Sequence, residues 1–563
     1  MKVAIGQLNI RQGELKRNFA AVKRMTEEAK KEGAELIVFP ELCLSGLCTG
    51  DHWNHQDFRD SVDAYNEQTV ELADSIAILF GSSFCRSGLL FSGAYLAVDR
   101  QLVKASTGLE AAVKTEPGFK GYHEENWFAF GAGKQHFDAE INGQKVRIAV
   151  SFTDEASGGD LNVILGHDPY LFNERKIRNG LYVNPVGSEN TGKAVFGLAG
   201  NSGFYNKGRK QWGCRHFEEE LKVCELDARE EVPAEKTLLL DALTMILREF
   251  DAQQFASSMK WIIGLSGGLD SSICAALLVK ALGPDRVVGY NMASSYNSVT
   301  TKGNARQLAD NLGMQIREGS IVPLVEATKQ IMNEYGYTEE YPSLVYENIQ
   351  ARIRGHLLST FASVENGVIY NNGNKIETAL GYCTLYGDSI GALCTLSDLT
   401  KVQLFDLARE INSFFGKEVI PVNLLPEVIG DTVKWEMPPS AELRDNQFDP
   451  MKWFYHDWLV DGIMKDNGFL LKVMSQYESG AIFNMEIGHW LKYYGLDDPE
   501  AFINDLQWIL KCMKRNVFKR IQSPPVVAFS DYAYGVRNEC QQNPDDSLAF
   551  QELRARILAK KTH

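Results

Sequence analysis

Apolar positions along this chain come in short runs that alternate with longer stretches at helical spacing. Residues 2–10 form a run of the length of a buried strand. From Glu14 to Glu32, Leu15, Phe19, Val22, Met25 and Ala29 recur on one helical face. Gly33 ends that helix, because glycine takes the left-handed conformation of a C-terminal cap without strain. A second strand follows at Glu35–Pro40, and Ser75–Phe84, Ala94–Ala105 and Val146–Phe152 read as further strands. The polar, proline-containing stretch Arg229–Glu235 marks a domain boundary, which divides the chain into 1–228 and 229–563.

Beyond it, a helix is expected from about Pro233 to Phe255. The apolar run Trp261–Leu265 is a short buried strand, and the pattern then continues as a helix through Leu282. Strand Val287–Met292, helices Val299–Leu312 and Leu344–Val364, and strand Val368–Tyr370 follow. Strands that alternate with helices predict a parallel sheet covered on both faces. Residues 445–514 are helical in pattern and rich in aromatics.

Composition narrows the class. Of 563 residues, 44% are hydrophobic and 23% charged, which suits a globular chain with real cores. The net charge of −15 argues against broad binding to nucleic acid or anionic membranes. The ten cysteines are scattered with no Cys-x-x-Cys, as expected for reduced thiols in a cytoplasmic protein. The N-terminus turns polar too soon for a signal peptide, and no apolar run approaches the ~18 residues of a membrane span. The run Gly203–Lys210 is locally basic and reads as an exposed loop.

The strongest chemical signal is Gly264-Leu265-Ser266-Gly267-Gly268-Leu269-Asp270-Ser271-Ser272, placed between a buried strand and a helix. Small residues let backbone approach a phosphate, and the helix start adds unpaired N–H groups and a positive dipole end. Ser266, Ser271 and Ser272 can donate to phosphate oxygens. Asp270 beside an anion suggests Mg²⁺ between them. No Gly-Lys-Ser/Thr loop of the P-loop kinases occurs.

This loop resembles that of the N-type ATP pyrophosphatases. Glu347–Gly355, Gly373–Glu377, Gly381–Asp388 and Pro438–Leu443 narrow the resemblance to the NAD⁺ synthetases, across about 261–523. It implies a doubly wound parallel-sheet domain with a helical C-terminal part, and ATP-dependent amidation of deamido-NAD⁺ through an adenylated intermediate. It also implies roles. Ser266, Gly267, Gly268, Asp270, Ser271, Ser272, Asn372, Lys401 and Ser440 would bind ATP, with Asn372 standing where the family has a threonine. Asn348, Arg352, Glu377, Lys519, Tyr382 and Asp388 would face deamido-NAD⁺. Asp270 and Glu377 would hold Mg²⁺. The family's habit implies a homo-oligomer.

The first domain resembles the nitrilase superfamily, an αββα sandwich whose Cys, Glu and Lys hydrolyse amides. Phe39-Pro40-Glu41-Leu42, Lys114, Glu124 and Leu181–Ser188 carry the likeness. Fused to a synthetase, such a domain hydrolyses glutamine and passes ammonia onward. Here Ser151 follows the strand where the cysteine is expected, and a hydroxyl is a far weaker nucleophile than a thiolate. Intact Glu41 and Lys114 favour an engineered cysteine-to-serine exchange. The flank Phe152-Thr153, and Asp168 where a serine is expected, favour natural divergence. Nitrogen would come from glutamine in the family, or from free ammonia with Ser151 as nucleophile. An amide hydrolase with a nucleotide-sensing C-terminal domain is the alternative reading.

Overall fold

The computed structural model describes every residue except 119–120, 154, 173–174, 231, 233–237, 430–431, 441–442, 445–448, 543 and 561–563, and only the backbone of 299 and 429. The expected helix start at Pro233, the Ala441-Glu442 pair and the start of the aromatic helical part at Asp445 lie outside the described residues. Two compact units emerge: Met1–Gln254 with Phe529–Asp531, and Phe255–Ala528 with Tyr532–His563.

The first unit is built on two sheets. One runs in the order Glu220–Glu225, Lys2–Gln7, Leu36–Val38, Ala77–Arg86, Leu89–Val98, Gln101–Val103. Helices Leu15–Lys31 and Gln56–Glu71 accompany it, and Val22, Met25 and Ala29 join a core with Ala4, Ile37 and Ile78. The alternate residues Val3, Ile5, Leu36, Val38 and Leu79 face the second sheet, against Phe137, Ile148, Val163 and Leu181. This is the period-two division of a strand buried on both faces. The single strand expected at Ala94–Ala105 is instead two strands turned at Asp99 and Arg100, whose φ values are 48 and 59. Two successive positive φ angles fit the twist of a tight hairpin, which no hydrophobic pattern reveals.

The second sheet runs Arg209–Gly213, Gly203–Asn206, Gly180–Val183, Leu161–Leu165, Gln144–Ser151, Gln135–Ile141. The basic run Gly203–Lys210 is therefore part of a hairpin. The two-sheet sandwich matches expectation, but the helical layer over this sheet does not follow. Among the described residues no helix lies between Ser151 and Leu161 or between Leu165 and Gly180. A small cluster of Ala149, Ala156, Ile164, Ile177 and Tyr182 stands there instead. The helix Leu238–Gln254 packs on the hairpin Val186–Asn190 and Ala194–Ala199 and so lies within the first unit.

The second unit holds a parallel sheet ordered Val526–Val527, Leu393–Cys394, Gly367–Asn371, Lys260–Gly264, Val287–Ala293, Gln315–Ser320. The chain starts at Lys260–Gly264, winds outward through Val287 and Gln315, then returns to its other side at Gly367. The carboxyl ends of Lys260–Gly264 and Gly367–Asn371 thus flank a topological switch point, where open α/β sheets bind ligands. A helical part, from Tyr455–Lys465 through Pro499–Arg515 and Leu548–Ala559, packs around Tyr455, Leu459, Val473, Phe502 and Ile509.

Candidate active sites

At the switch point the turn after Gly264 opens helix Leu269–Leu282. Gly267 has φ +83, and a Cβ there would sit 1.9 Å from the carbonyl oxygen of Thr301. Only glycine therefore fits this turn. Ser266 Oγ accepts from Gly268 N at 3.2 Å and lies 3.2 Å from Ser271 Oγ. Ser271 and Ser272 both donate to the Gly268 carbonyl, at 3.2 and 2.7 Å. These bonds hold the turn closed and leave the Ser266 side exposed.

Two capped helices bring charge to this turn. Asn374 caps Lys375–Leu380, accepting from Ile376 N and Glu377 N, while Glu377 Oε2 accepts from Asn374 N. The same Asn374 donates to Asp270 Oδ2 at 2.9 Å. Thr400 caps Lys401–Phe415 and sets Lys401 at its first position, with Nζ 2.7 Å from Asp270 Oδ1. Burial and the Asp270 carboxylate raise the Glu377 carboxyl to about 8. Burial opposes the charge on Lys401, but Asp270 and Glu377 outweigh it and raise its pKa. The Lys401 backbone N–H donates to Asp457, whose carboxyl burial lifts to about 6.

These groups line a cavity of about 510 Å³. It brings together Ser266, Gly268, Asp270, Ser271, Asn348, Asn372, Glu377, Tyr382, Asp388, Lys401, Ser440 and Lys519. Gly267 and Ser272 stand behind its wall, shaping the turn. Arg352 is exposed off the wall, donating to the Leu385 carbonyl at 3.3 Å. Arg354 lines the cavity in its place, and burial lowers its pKa to about 10. Asn348 Oδ1 accepts from Thr384 Oγ1 at 2.7 Å, and Asp388 Oδ1 from Thr384 N. Lys519 Nζ donates to the Gly381 and Cys383 carbonyls at 2.8 and 2.7 Å. Asn372 Nδ2 donates to the Gly264 carbonyl at 2.9 Å and so ties the two switch-point strands together.

Among the described residues no three acidic, His or Cys side chains are grouped to enclose a metal ion. Two carboxylates with phosphate oxygens nevertheless suit Mg²⁺, which keeps much of its shell as water and substrate oxygen. Asp270 and Glu377 both line the cavity beside the phosphate turn, a donor set of the hard oxygen type that this ion takes.

The first unit carries a second charged cluster. Lys114 Nζ lies 2.9 and 3.0 Å from the Glu41 oxygens and 2.7 Å from Glu124 Oε2, all within the interior. Ser92 Oγ donates to Glu41 at 2.7 Å and Gly118 N to Glu124 at 2.9 Å. Burial raises the Glu41 carboxyl against the pull of Lys114. Ser151, at the end of Gln144–Ser151, stands apart from this bonding: its hydroxyl donates to Thr153 O at 3.3 Å and accepts from Thr153 N at 3.2 Å. Asp168 is engaged as well. Its Oδ2 accepts from Arg175 Nη1 and Tyr182 OH, both at 2.7 Å, while Arg175 Nη2 donates to the Phe152 carbonyl at 2.8 Å.

Sequence reading missed His167 and Glu189. The imidazole bridges the Glu41 carbonyl and Glu189 Oε1, each at 3.0 Å, and Glu189 also accepts from the N–H groups of Leu47 and Cys48. Burial opposes the imidazolium, but Glu189 outweighs it, and the His167 pKa rises to about 9.

Residues 240–481 match the NAD synthase family and residues 2–81 the carbon–nitrogen hydrolase family. A glutamine-dependent NAD(+) synthetase of Synechocystis is 27% identical over 95% of this chain and 97% of its own. One from Acinetobacter baylyi is 27% identical over 80% of this chain and 84% of its own. Among solved structures, the glutamine-dependent NAD(+) synthetase of Cytophaga hutchinsonii covers 99% of both chains with a TM-score of 0.75 at 15% identity. That of Acinetobacter baumannii in complex with ADP covers 94% of this chain and 97% of its own, with a TM-score of 0.64 at 21% identity. The chain thus carries a NAD synthase region behind a carbon–nitrogen hydrolase region, and over nearly its whole length it is similar to glutamine-dependent NAD⁺ synthetases.

Proposed function

We propose that this chain forms NAD⁺ by ATP-dependent amidation of deamido-NAD⁺ in the cavity of its second unit, and that it draws nitrogen from free ammonia. The observation that carries the first part is the meeting of the Ser266–Ser272 turn with Asp270, Glu377 and Lys401 at the switch point. The turn's N–H groups and Ser266 would hold ATP phosphates. Lys401, with Ser440, would offset charge near the reacting phosphorus. The nicotinate carboxylate attacks the α-phosphorus, the bond to pyrophosphate breaks, and an acyl adenylate forms. Ammonia then attacks the acyl carbon, loses a proton and expels AMP. Asp270 and Glu377 would hold Mg²⁺, which when bound neutralises charge on the leaving pyrophosphate. Asn348, Tyr382, Asp388, Lys519 and Arg354 would hold deamido-NAD⁺, and Arg352 contributes from outside the wall. The amide-hydrolase alternative leaves this assembly without a task.

The nitrogen source rests on Ser151. Its hydroxyl is bound to its own turn, and the Arg175 bridge from Asp168 to the Phe152 carbonyl rebuilds the flank around it. That supports natural divergence over an engineered exchange. The first unit would then be a retired amidase and the second a working synthetase, divided after Gln254 rather than at 228/229. A homo-oligomer and a cytoplasmic setting complete the reading; no described helix is long and apolar enough to cross a membrane.

The test follows NAD⁺, pyrophosphate and glutamate with each nitrogen donor. Ammonia should support NAD⁺ formation, with glutamate release from glutamine orders of magnitude slower. Ser151→Cys alone should leave glutamate release at background, because the Arg175 bridge remains. Equal rates with both donors in the unaltered chain would overturn the ammonia reading, and no pyrophosphate release with either donor would overturn the synthetase reading.

A further inference from the structure

Two walls of the cavity, the phosphate turn and the segment Met437–Ser440, are far apart in sequence. Asn304 and Asn423 stand behind them. Asn304 lies on helix Val299–Leu312 and is 4% exposed. Its Nδ2 donates to Asn423 Oδ1 at 3.2 Å, and Asn423 Nδ2 donates back to Asn304 Oδ1 at 3.2 Å. Each amide thus answers the other with one donor and one acceptor, which fixes both planes. The pair is also tied at each end. Asn304 Nδ2 reaches the Gly267 carbonyl at 3.5 Å, inside the phosphate turn. The backbone carbonyl of Asn423 accepts from Met437 N at 3.1 Å, at the root of Pro438–Ser440. Met437 Sδ lies 3.7 Å from Asn304 Nδ2.

Neither side chain lines the cavity, so neither touches a ligand directly. The chemistry suits spacing. A neutral pair adds no charge beside phosphates, and losing one partner leaves a largely buried amide unanswered, which is more costly than the bond is favourable. Beyond Ser440, Gln350 Nε2 donates to the Leu443 carbonyl at 2.9 Å. Gln350 sits on helix Ser343–Val364 between Asn348 and Arg352. The same stretch of chain is therefore fastened to the phosphate turn at one end and to the dinucleotide-side helix at the other.

We propose that Asn304 and Asn423 are positioning residues that set the distance between the phosphate turn and Ser440, so that ATP is gripped from both sides at once. This rests on the reading of the second unit as the ATP site. Substitution of either amide should act on ATP rather than on the dinucleotide, because the Asn304 side chain, held in plane by Asn423, reaches both the phosphate turn and Met437 Sδ.

The test uses the full chain with ammonia as donor. Asn423→Leu should raise the KM for ATP about tenfold, with the KM for deamido-NAD⁺ changed less than twofold. Asn423→Asp keeps an acceptor for Asn304 Nδ2 and should recover most of the loss. Asn304→Asp loses the donor to both Asn423 and Gly267, and should behave like Asn423→Leu. The rise in melting temperature on adding ATP should shrink in the same order. That readout needs no turnover, so it separates failure of this inference from failure of the synthetase reading. Equal shifts in both KM values, unchanged ATP binding in Asn423→Leu, or equal losses in the two aspartate variants that follow their melting temperatures would each overturn it.

Discussion

In the first unit Lys114 lies between Glu41 and Glu124, none of them more than 2% exposed. In the second, Lys401 faces Asp270 and Glu377 on the wall of a cavity of about 510 Å³. Both clusters pair one ammonium with two carboxylates, yet they answer different physical demands. The first is buried throughout, and burial raises its Glu41 carboxyl even beside Lys114. The second also holds a raised carboxyl, at Glu377, but it opens on the cavity with an exposed serine at its edge, and so has room for a ligand.

The widest separation between the two clusters should appear on removing one member of each. Asp270→Ala should lower ammonia-driven NAD⁺ formation by a thousandfold or more, about 4 kcal/mol of barrier, while the melting temperature holds. Lys114→Ala leaves two buried carboxylates facing each other without their cation. It should cost about 3–5 kcal/mol of stability in the first unit, with ammonia-driven turnover per folded molecule preserved. If Lys114→Ala abolished that turnover in folded protein, the contrast would break.

A smaller effect concerns His167. Its pKa is raised from 6.5 to about 9 by Glu189, so the stability it contributes is complete below pH 6.5 and is lost as pH rises through about 9. His167→Asn should therefore lower the melting temperature of the first unit at pH 6 and have little effect at pH 10. A calorimetric scan across that range checks it, and a pH-independent deficit would remove the ion pair from the account.

The smallest effect sharpens the second cluster. Glu377 holds its proton to about pH 8, so Mg²⁺ binding with a non-hydrolysable ATP analogue should release a proton. Apparent Mg²⁺ affinity should rise by up to about tenfold per pH unit between pH 6 and 8, then level off. Titration calorimetry in buffers of different ionisation heat measures the proton. In Glu377→Gln the slope should vanish.

The phosphate turn was legible because its residues are contiguous and a strand and helix frame them. The Lys401–Asp270 contact spans 131 positions and no local pattern records it; the family resemblance supplied the residues but not their pairing. Arg354 was missed although helix geometry contains it: Glu347, Ala351, Arg354 and Leu358 form one stripe along Ser343–Val364, and all line the cavity. The hairpin at Asp99 depends on backbone angles rather than hydrophobicity. His167 stands beside Asp168, and Glu189 between Ser188 and Asn190, so no local pattern marks them as a buried pair. The second helical layer was expected from resemblance alone, and residues 152–160 carry no helical repeat of apolar positions to support it.

Gly267 carries a consequence for heredity. Every other amino acid adds a Cβ, and at this turn that atom would fall 1.9 Å from a backbone oxygen which no side-chain rotation can move aside. No single-base change in a glycine codon that alters the residue escapes this collision. In a saturation library selected for growth that depends on this enzyme to form its product, codon 267 should hold synonymous changes only. Its neighbour Gly268, where the nearest atom to an added Cβ is the Ser266 hydroxyl at 3.3 Å, should admit alanine or serine, so adjacent glycines would show opposite tolerance.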